Sequence, residues 1–408
     1  MNTALRAIAT ASIAVTVLPA AHCAHAATTT VIYSFAGDED GEYADTDLVR
    51  DSAGNLYGTT VQGGTSASGT VWELSPSHGT WAHSVLYSFS GGTDGGEPYK
   101  GVTLDSQGNI FGTAVTGGSG GCEGGCGVVY ELTNSGGGWS QTVIHAFTGG
   151  DDGAGPGAGL TIDSNGDVYG TTPTGGAYGQ GTIFRLHRGA GGQWKLKVIH
   201  AFTGGSDGSG GSAGRLVLSA NHLYGTCTSG GDDSEGAAFE LTQSQGGGKW
   251  KFRPIYEFTG QDDGGFPYGG LTLDNSGNLY GTTYYGGAFG YGGVYRLAHK
   301  HGGWAEKALY SFTGGNDGGS SIGNLVLDAA GNLYGTTSAG GSAGVGVIFA
   351  LTPPSGGKWQ ETVAHSFQGP PDGAYAYNGM VGDGAGNYFG ATTHGGEGDE
   401  GAIYEFTP

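Results

Sequence analysis

The chain is poor in positive charge: 15 Lys and Arg stand against 36 Asp and Glu, a formal net charge of −21. Nucleic acid and anionic membrane surfaces both require a basic footprint, so neither is expected as a partner. Sustained helical periodicity is missing throughout, which leaves strands and turns. No Gly-x-Ser-x-Gly sits on a strand-to-helix turn, so the usual nucleophile signature is missing too. No apolar run beyond the N-terminus is long enough to span a bilayer. The sequence ends at Pro408 without a hydrophobic tail or sorting signal, and no C-terminal anchor is expected.

Glycine is what the chain has in excess. Gly is 91 and Pro 12. Without a period, that level would suggest a low-complexity or disordered chain. Hydrophobic residues at 37% and aromatics at 11% are too many for a solvated coil. A periodic fold that places glycines at turns reconciles the two.

Residues 1–26 read as a signal peptide. Arg6 gives a minimal positive start, Ala7 to Ala21 is small and apolar, and Ala24-His25-Ala26 is a small-x-small cleavage pattern. His22 before Cys23 is too large for lipoprotein processing. Export to an extracellular or periplasmic space follows as an expectation. Three cysteines remain after cleavage. Cys122 and Cys126, in Gly-Cys-Glu-Gly-Gly-Cys-Gly, are expected to form a local disulfide in an oxidising compartment. Cys227 stands where other repeats have Thr and reads as a half-buried strand residue.

One Phe exposes the repeat: Phe35, Phe89, Phe147, Phe202, Phe258, Phe312 and Phe367, at intervals of 54 to 58 residues. Asp-Gly begins five residues after each, and a Trp lies eight residues before six of the seven. The unit around 270–312 holds four strand-like stretches. These are Gly270 to Asp274, Asn278 to Thr283, Gly292 to Leu297, and Trp304 to Phe312. In the last, Trp304, Ala308, Tyr310 and Phe312 fall on one face at period two. Seven such units predict an all-β, seven-bladed β-propeller over 28–408, behind the leader at 1–26. The mature chain opens with a fourth strand, Thr28 to Phe35, and ends with a third, Gly401 to Phe406. Pairing them completes the last blade and removes two raw edges. Pro254 fits a fourth strand, which is an edge.

The unit reads Gly270-Leu271-x-x-Asp274-x-x-Gly277-Asn278-Leu279-Tyr280-Gly281-Thr282-Thr283-x-x-Gly286-Gly287. It resembles the GloVer (Gloeo/Verruco-type) tandem repeat of bacterial exported proteins, over essentially the whole mature chain. The resemblance implies export and a repeat architecture and brings no activity with it. Those relatives carry C-terminal anchors, which this chain is expected to lack. The fourth unit drifts: Ser219-Ala220-Asn221-His222 is one residue short and lacks the usual Asp.

In a propeller the Asp-Gly loops and the Gly-Gly loops share one face, here called the upper face. Several Asp-Gly loops are doubly acidic: Asp38 and Asp40, Asp151 and Asp152, Asp262 and Asp263. They have two readings, as turn formers or as calcium ligands. His145, His200 and His365 alternate with Tyr33, Tyr87, Tyr256 and Tyr310 two residues before the repeat Phe, a packing slot. His394, beside Glu397, Asp399 and Glu400, is the one His with acidic company on that face. The fifth blade alone carries aromatics on both upper loops: Phe266, Tyr268, Tyr284, Tyr285, Phe289 and Tyr291. Exposed rings flanked by polar groups mark a binding surface, or else brace a long loop against itself. The expected function is therefore a secreted, non-catalytic binding or scaffold propeller, monomeric and with no cofactor other than calcium. Its ligand would be a glycan or a surface protein. The alternative is an extracellular polysaccharide hydrolase or lyase using carboxylates near the channel.

Overall fold

The computed structural model describes residues 27–211, 214–244, 249–300, 302–354 and 356–408. The expected leader at 1–26, with Cys23, lies outside the described residues. Apart from a three-residue 3-10 turn at Asp38–Asp40, the regular structure is all β. Seven four-stranded antiparallel sheets form the blades of a β-propeller, and a short two-stranded ribbon sits beside the last. In the fifth blade the strands are Thr272–Leu273, Leu279–Thr283, Gly293–Lys300 and Gly303–Ser311, from the innermost outward. The seventh consists of Val381–Gly382, Tyr388–Thr392, Ala402–Thr407 and, outermost, Thr28–Ser34. In that blade Thr28 pairs with Thr407 and Ser34 with Ala402.

The repeat residues explain how blades hold one another. Each repeat Phe is fully buried. Each reaches forward from the end of its outermost strand to an aromatic ring on the third strand of the next blade. The pairs are Phe35–Trp72, Phe89–Tyr130, Phe147–Phe184, Phe202–Phe239, Phe258–Tyr295, Phe312–Phe349 and Phe367–Tyr404, with centroids 4.9–5.8 Å apart. The Trp of the same outermost strand reaches backward. Trp81 meets Phe389, Trp194 meets Phe111, Trp250 meets Tyr169 and Trp304 meets Tyr224, all on the preceding blade. The core therefore consists of seven clusters, each shared by two neighbouring blades. Edge-to-face aromatic pairs of this kind contribute about 0.5–1.5 kcal/mol each beyond their buried area.

The Gly in Leu-Tyr-Gly-Thr-Thr belongs to the same clamp. Gly281 pairs directly with Tyr295, whose ring lies over it. A Cβ at Gly281 would come within 2.4 Å of that hydroxyl. Only Gly leaves room for the ring between the strands.

One expectation needs correction. The period-two face from Trp304 to Phe312 is interrupted, because Val294 pairs with Tyr310 and Tyr295 with Ala308. Leu309 is the bulged residue and is buried. The same shift occurs in the outermost pairing of every blade. A bulge inserts a residue and bends its strand without changing composition. Cys227 also differs from expectation: it is wholly buried, and burial pushes its thiol well above the usual range. Cys122 and Cys126 are disulfide-bonded, with Cα atoms 5.1 Å apart.

Candidate functional site

The upper face is built by paired loops. Gly265 bridges Tyr285, Gly96 bridges Thr116 and Gly319 bridges Ala339, with equivalent bridges in other blades. Each bridge joins the loop entering the innermost strand to the loop after the second strand.

Within the Asp-Gly loops the repeat Asp is a turn former. Asp263 accepts hydrogen bonds from Tyr256 Oη at 2.9 Å and from the Thr259 amide at 3.0 Å. Asp40 accepts from Tyr33 Oη and the Ala36 amide, and Asp152 is bonded to His145 Nε2 and the Thr148 amide. His200 and His365 meet Asp207 and Asp372 in the same way. The aromatic-or-His slot is thus a hydrogen-bonding position as well as a packing one. Burial lowers the His145 and His200 pKa values against the pull of their aspartates. Asp38, Asp151 and Asp262 are exposed neighbours of these turns. Among the described residues no group of three or more His, Cys, Asp or Glu is placed to hold a metal ion.

The six fifth-blade aromatics divide. Phe266 stacks on Tyr285 at 4.6 Å and on Tyr268 at 6.5 Å, and Tyr284 meets Tyr268 edge-on at 5.5 Å. Tyr285 remains 40% exposed, so this cluster presents a ring to solvent. Phe289 and Tyr291 are exposed but stand apart from the ring contacts that join these four. Tyr291 lies over Gly314, toward the sixth blade.

The seventh blade repeats the constellation, which the density of aromatics along the sequence does not reveal. Tyr375, Tyr377 and His394 occupy the positions of Phe266, Tyr268 and Tyr285. Tyr375 stacks on Tyr377 at 6.2 Å and meets His394 edge-on at 5.7 Å. Tyr43 of the first blade adds a ring 5.1 Å from His394. His394 is thus framed by rings. Aligning repeat positions, instead of counting rings per blade, finds this second cluster.

The backbone beneath these rings turns through the left-handed region. Tyr43, Phe266 and Tyr375 all lie in the left-handed region, with φ of 58°, 52° and 58°. The third and fourth blades place Gly155 and Gly210 at this position, with φ of 66° and 81°, and Glu97 and Ser320 fill it in the second and sixth. A bulky side chain there costs about 1–2 kcal/mol that Gly avoids. Short Asp45 N to Tyr43 O, Tyr268 N to Phe266 O and Tyr377 N to Tyr375 O hydrogen bonds, 2.7–3.0 Å, hold the three aromatic turns. The left-handed turn is thus common to all seven blades, and on three of them it carries a ring.

At the ring centre, where the innermost strands begin, charged residues from different blades meet. Lys100 Nζ donates to Asp45 Oδ1 at 3.0 Å and to Asn378 Oδ1 at 2.8 Å, and Asn378 Nδ2 donates to the same Asp45 oxygen at 2.7 Å. One residue deeper, Arg215 donates to Val102 O and Thr103 Oγ1, and Gly379 N to Asp47 Oδ1. Burial lowers the Lys100 pKa less than Asp45 and Asp47 raise it, so the ammonium is held charged. Burial raises the Asp47 carboxyl, with Lys100 and Arg215 opposing. None of these residues stands out in sequence, because each is a single departure in a different repeat.

Comparison with known proteins places the repeat. The family model described as the Gloeobacter/Verrucomicrobia repeat matches residues 119–319 and 255–408. No curated protein matches. Among similar solved structures is a protein of unknown function from Dyadobacter fermentans. It is 12% identical with a TM-score of 0.46, over 82% of this chain and 96% of that one. Another is a putative oxidoreductase (glucose dehydrogenase) from Thermus thermophilus. It is 14% identical with a TM-score of 0.44, over 75% of this chain and 95% of that one. No helix among the described residues is long and apolar enough to cross a membrane. The two family matches together cover more than half of the sequence, and the chain belongs to the Gloeobacter/Verrucomicrobia repeat family.

Proposed function

We propose that this protein is an exported, non-catalytic binding propeller whose upper face takes glycan. On this reading the leader at 1–26 is removed, and the mature propeller works as a monomer outside the cell or in the periplasm. The observation that carries the reading is the aromatic constellation built twice, on the fifth and seventh blades, over left-handed turns. Flat rings with free edges suit the apolar faces of sugars, and the hydroxyls of Tyr and the flanking polar groups suit their rims. The acidic surface favours a neutral ligand over an anionic one. The carboxylates at the ring centre, Asp45 and Asp47, each face a basic side chain, Lys100 and Arg215. That pairing suits structure or binding more than acid–base turnover.

The test is a glycan-array screen of the mature chain, followed by mass spectrometry of the bound glycans after prolonged incubation. Binding with intact glycans is the expected result. Cleaved or unsaturated products would replace this reading with a hydrolase or lyase. A silent array alongside capture of a purified surface protein would replace glycan with protein as the ligand.

A further inference from the structure

Lys100 is held in a way no other blade repeats among the described residues. Its φ is 54° and that of Gly101 is 72°. The equivalent pairs, such as Gly269-Gly270 and Asn378-Gly379, have no residue in the left-handed region. The second blade is therefore bent at this point, and the bend carries the lysine to Asp45 and Asn378 of two other blades. The Lys100 amide bonds to Asp45 O at 3.1 Å, tying backbone and side chain to the same residue.

The hydrogen bonds leave capacity unused. Both donors to Asp45 use Oδ1, so its Oδ2 has no partner among the described residues. Lys100 uses two of its three donors. The side chains of Asp45 and Lys100 remain 17% and 16% exposed, so the pair is not sealed from solvent. One repeat position holds Asp45, Tyr99, Tyr268 and Tyr377 in their respective blades, on the upper side of Lys100. Tyr99 and Tyr377 both sense the charges of Asp45 and Lys100, and Tyr377 also senses Tyr284 of the fifth-blade cluster. Below, Arg215 of the fourth blade reaches across to Val102 and Thr103 of the second.

We propose that Asp45 and Lys100 form an axial subsite that holds the terminal residue of a neutral saccharide through two adjacent hydroxyls, with Tyr99 and Tyr377 beside its ring. This rests on the glycan-binding reading above and deepens it. An adjacent acceptor and donor match a vicinal diol, in which each hydroxyl both donates and accepts. The two positive charges at the centre are already matched by Asp45 and Asp47, and Glu97 adds negative charge beside Tyr99, so a carboxylated or sulfated sugar gains nothing there. With Arg215 spanning the axis beneath the pair, the sugar enters end-on from the upper face and its chain runs out over Tyr268 and the fifth-blade rings.

The experiment uses the mature protein and the neutral oligosaccharide that binds best on the array. Calorimetric titration compares it with the same oligosaccharide methylated on the vicinal hydroxyls of its terminal sugar. It also compares the parent with an Asp45→Asn/Lys100→Met double variant, which removes both charges together. Methylation and the double variant should each weaken binding at least tenfold. If the methylated sugar binds the parent within twofold of the free one, the axial subsite is wrong, and this arm needs no variant to fold. Equal affinity in a double variant that melts like the parent is equally contrary. An array on which no neutral glycan binds would overturn the glycan reading itself, and the subsite with it.

Discussion

At the residue scale, carboxylates divide by their partners. Burial alone would raise the Asp274 carboxyl, but the Asn278 side chain and amide, the Ser276 amide and Tyr280 Oη outweigh it and hold it below the usual range. Asp51 and Asp383 are held down in the same hairpin position. Their contribution to stability is present above their unfolded pKa and is lost as pH falls through the lower folded value. Glu306 and Glu361, on the outermost strands of the fifth and sixth blades, behave oppositely. Burial, with Asp263 or Asp317 nearby, raises each to about 7. Each has a buried oxygen with no hydrogen-bond partner among the described residues. A raised acid is protonated in the native state, so stability falls as pH rises from the unfolded value toward the folded one. Thermal melts should therefore show a maximum at mildly acidic pH and a decline toward neutrality. Glu306→Gln/Glu361→Gln should flatten that decline and raise the melting temperature at pH 8. An unchanged slope between pH 5 and pH 8 would mean these glutamates are solvated in the folded protein.

At the scale of the element, the outermost strand does most to join the blades. It carries a forward Phe, a backward Trp and a bulge between them. Phe258→Ala removes the contact to Tyr295 and leaves a cavity between the fourth and fifth blades. It should cost about 3–5 kcal/mol, measured by denaturant unfolding. A loss under about 1 kcal/mol would show that this interface repacks freely. Much of this element is legible in sequence, because Phe, Trp and Asp-Gly recur at fixed offsets and each has one physical role. The bulge is not, since Ala308, Leu309 and Tyr310 read as ordinary strand residues and only pairing with Val294 and Tyr295 reveals the extra one. The fifth-blade rings are legible as a group, but the separation of Phe289 and Tyr291 from the other four depends on loop geometry. Lys100, Asp45 and Asn378 are not legible at all. Their meeting joins residues 55 and 278 positions apart, across repeats that look alike.

For the whole molecule, a ring of like blades must close somewhere, and here it does so within one sheet. Thr28–Ser34 pairs along Ala402–Thr407, and Phe35 then packs on Trp72 of the first blade. Deleting 28–35 exposes the edge of Ala402–Thr407 and removes one of the seven aromatic clamps. The truncated protein should melt well below the parent; a melting curve superimposable on the parent's would mean that the strand adds nothing to closure. An intact ring also sets the fifth- and seventh-blade rings around one mouth, which is the basis of the proposed function. The most direct test of that function is a calorimetric titration of the best array glycan into the parent and into Tyr284→Ala/Tyr285→Ala. Two stacking rings at about 1 kcal/mol each imply a loss of at least about tenfold in affinity, with the melting temperature retained. Affinity within twofold of the parent in a variant that remains folded would contradict the upper face as the binding surface.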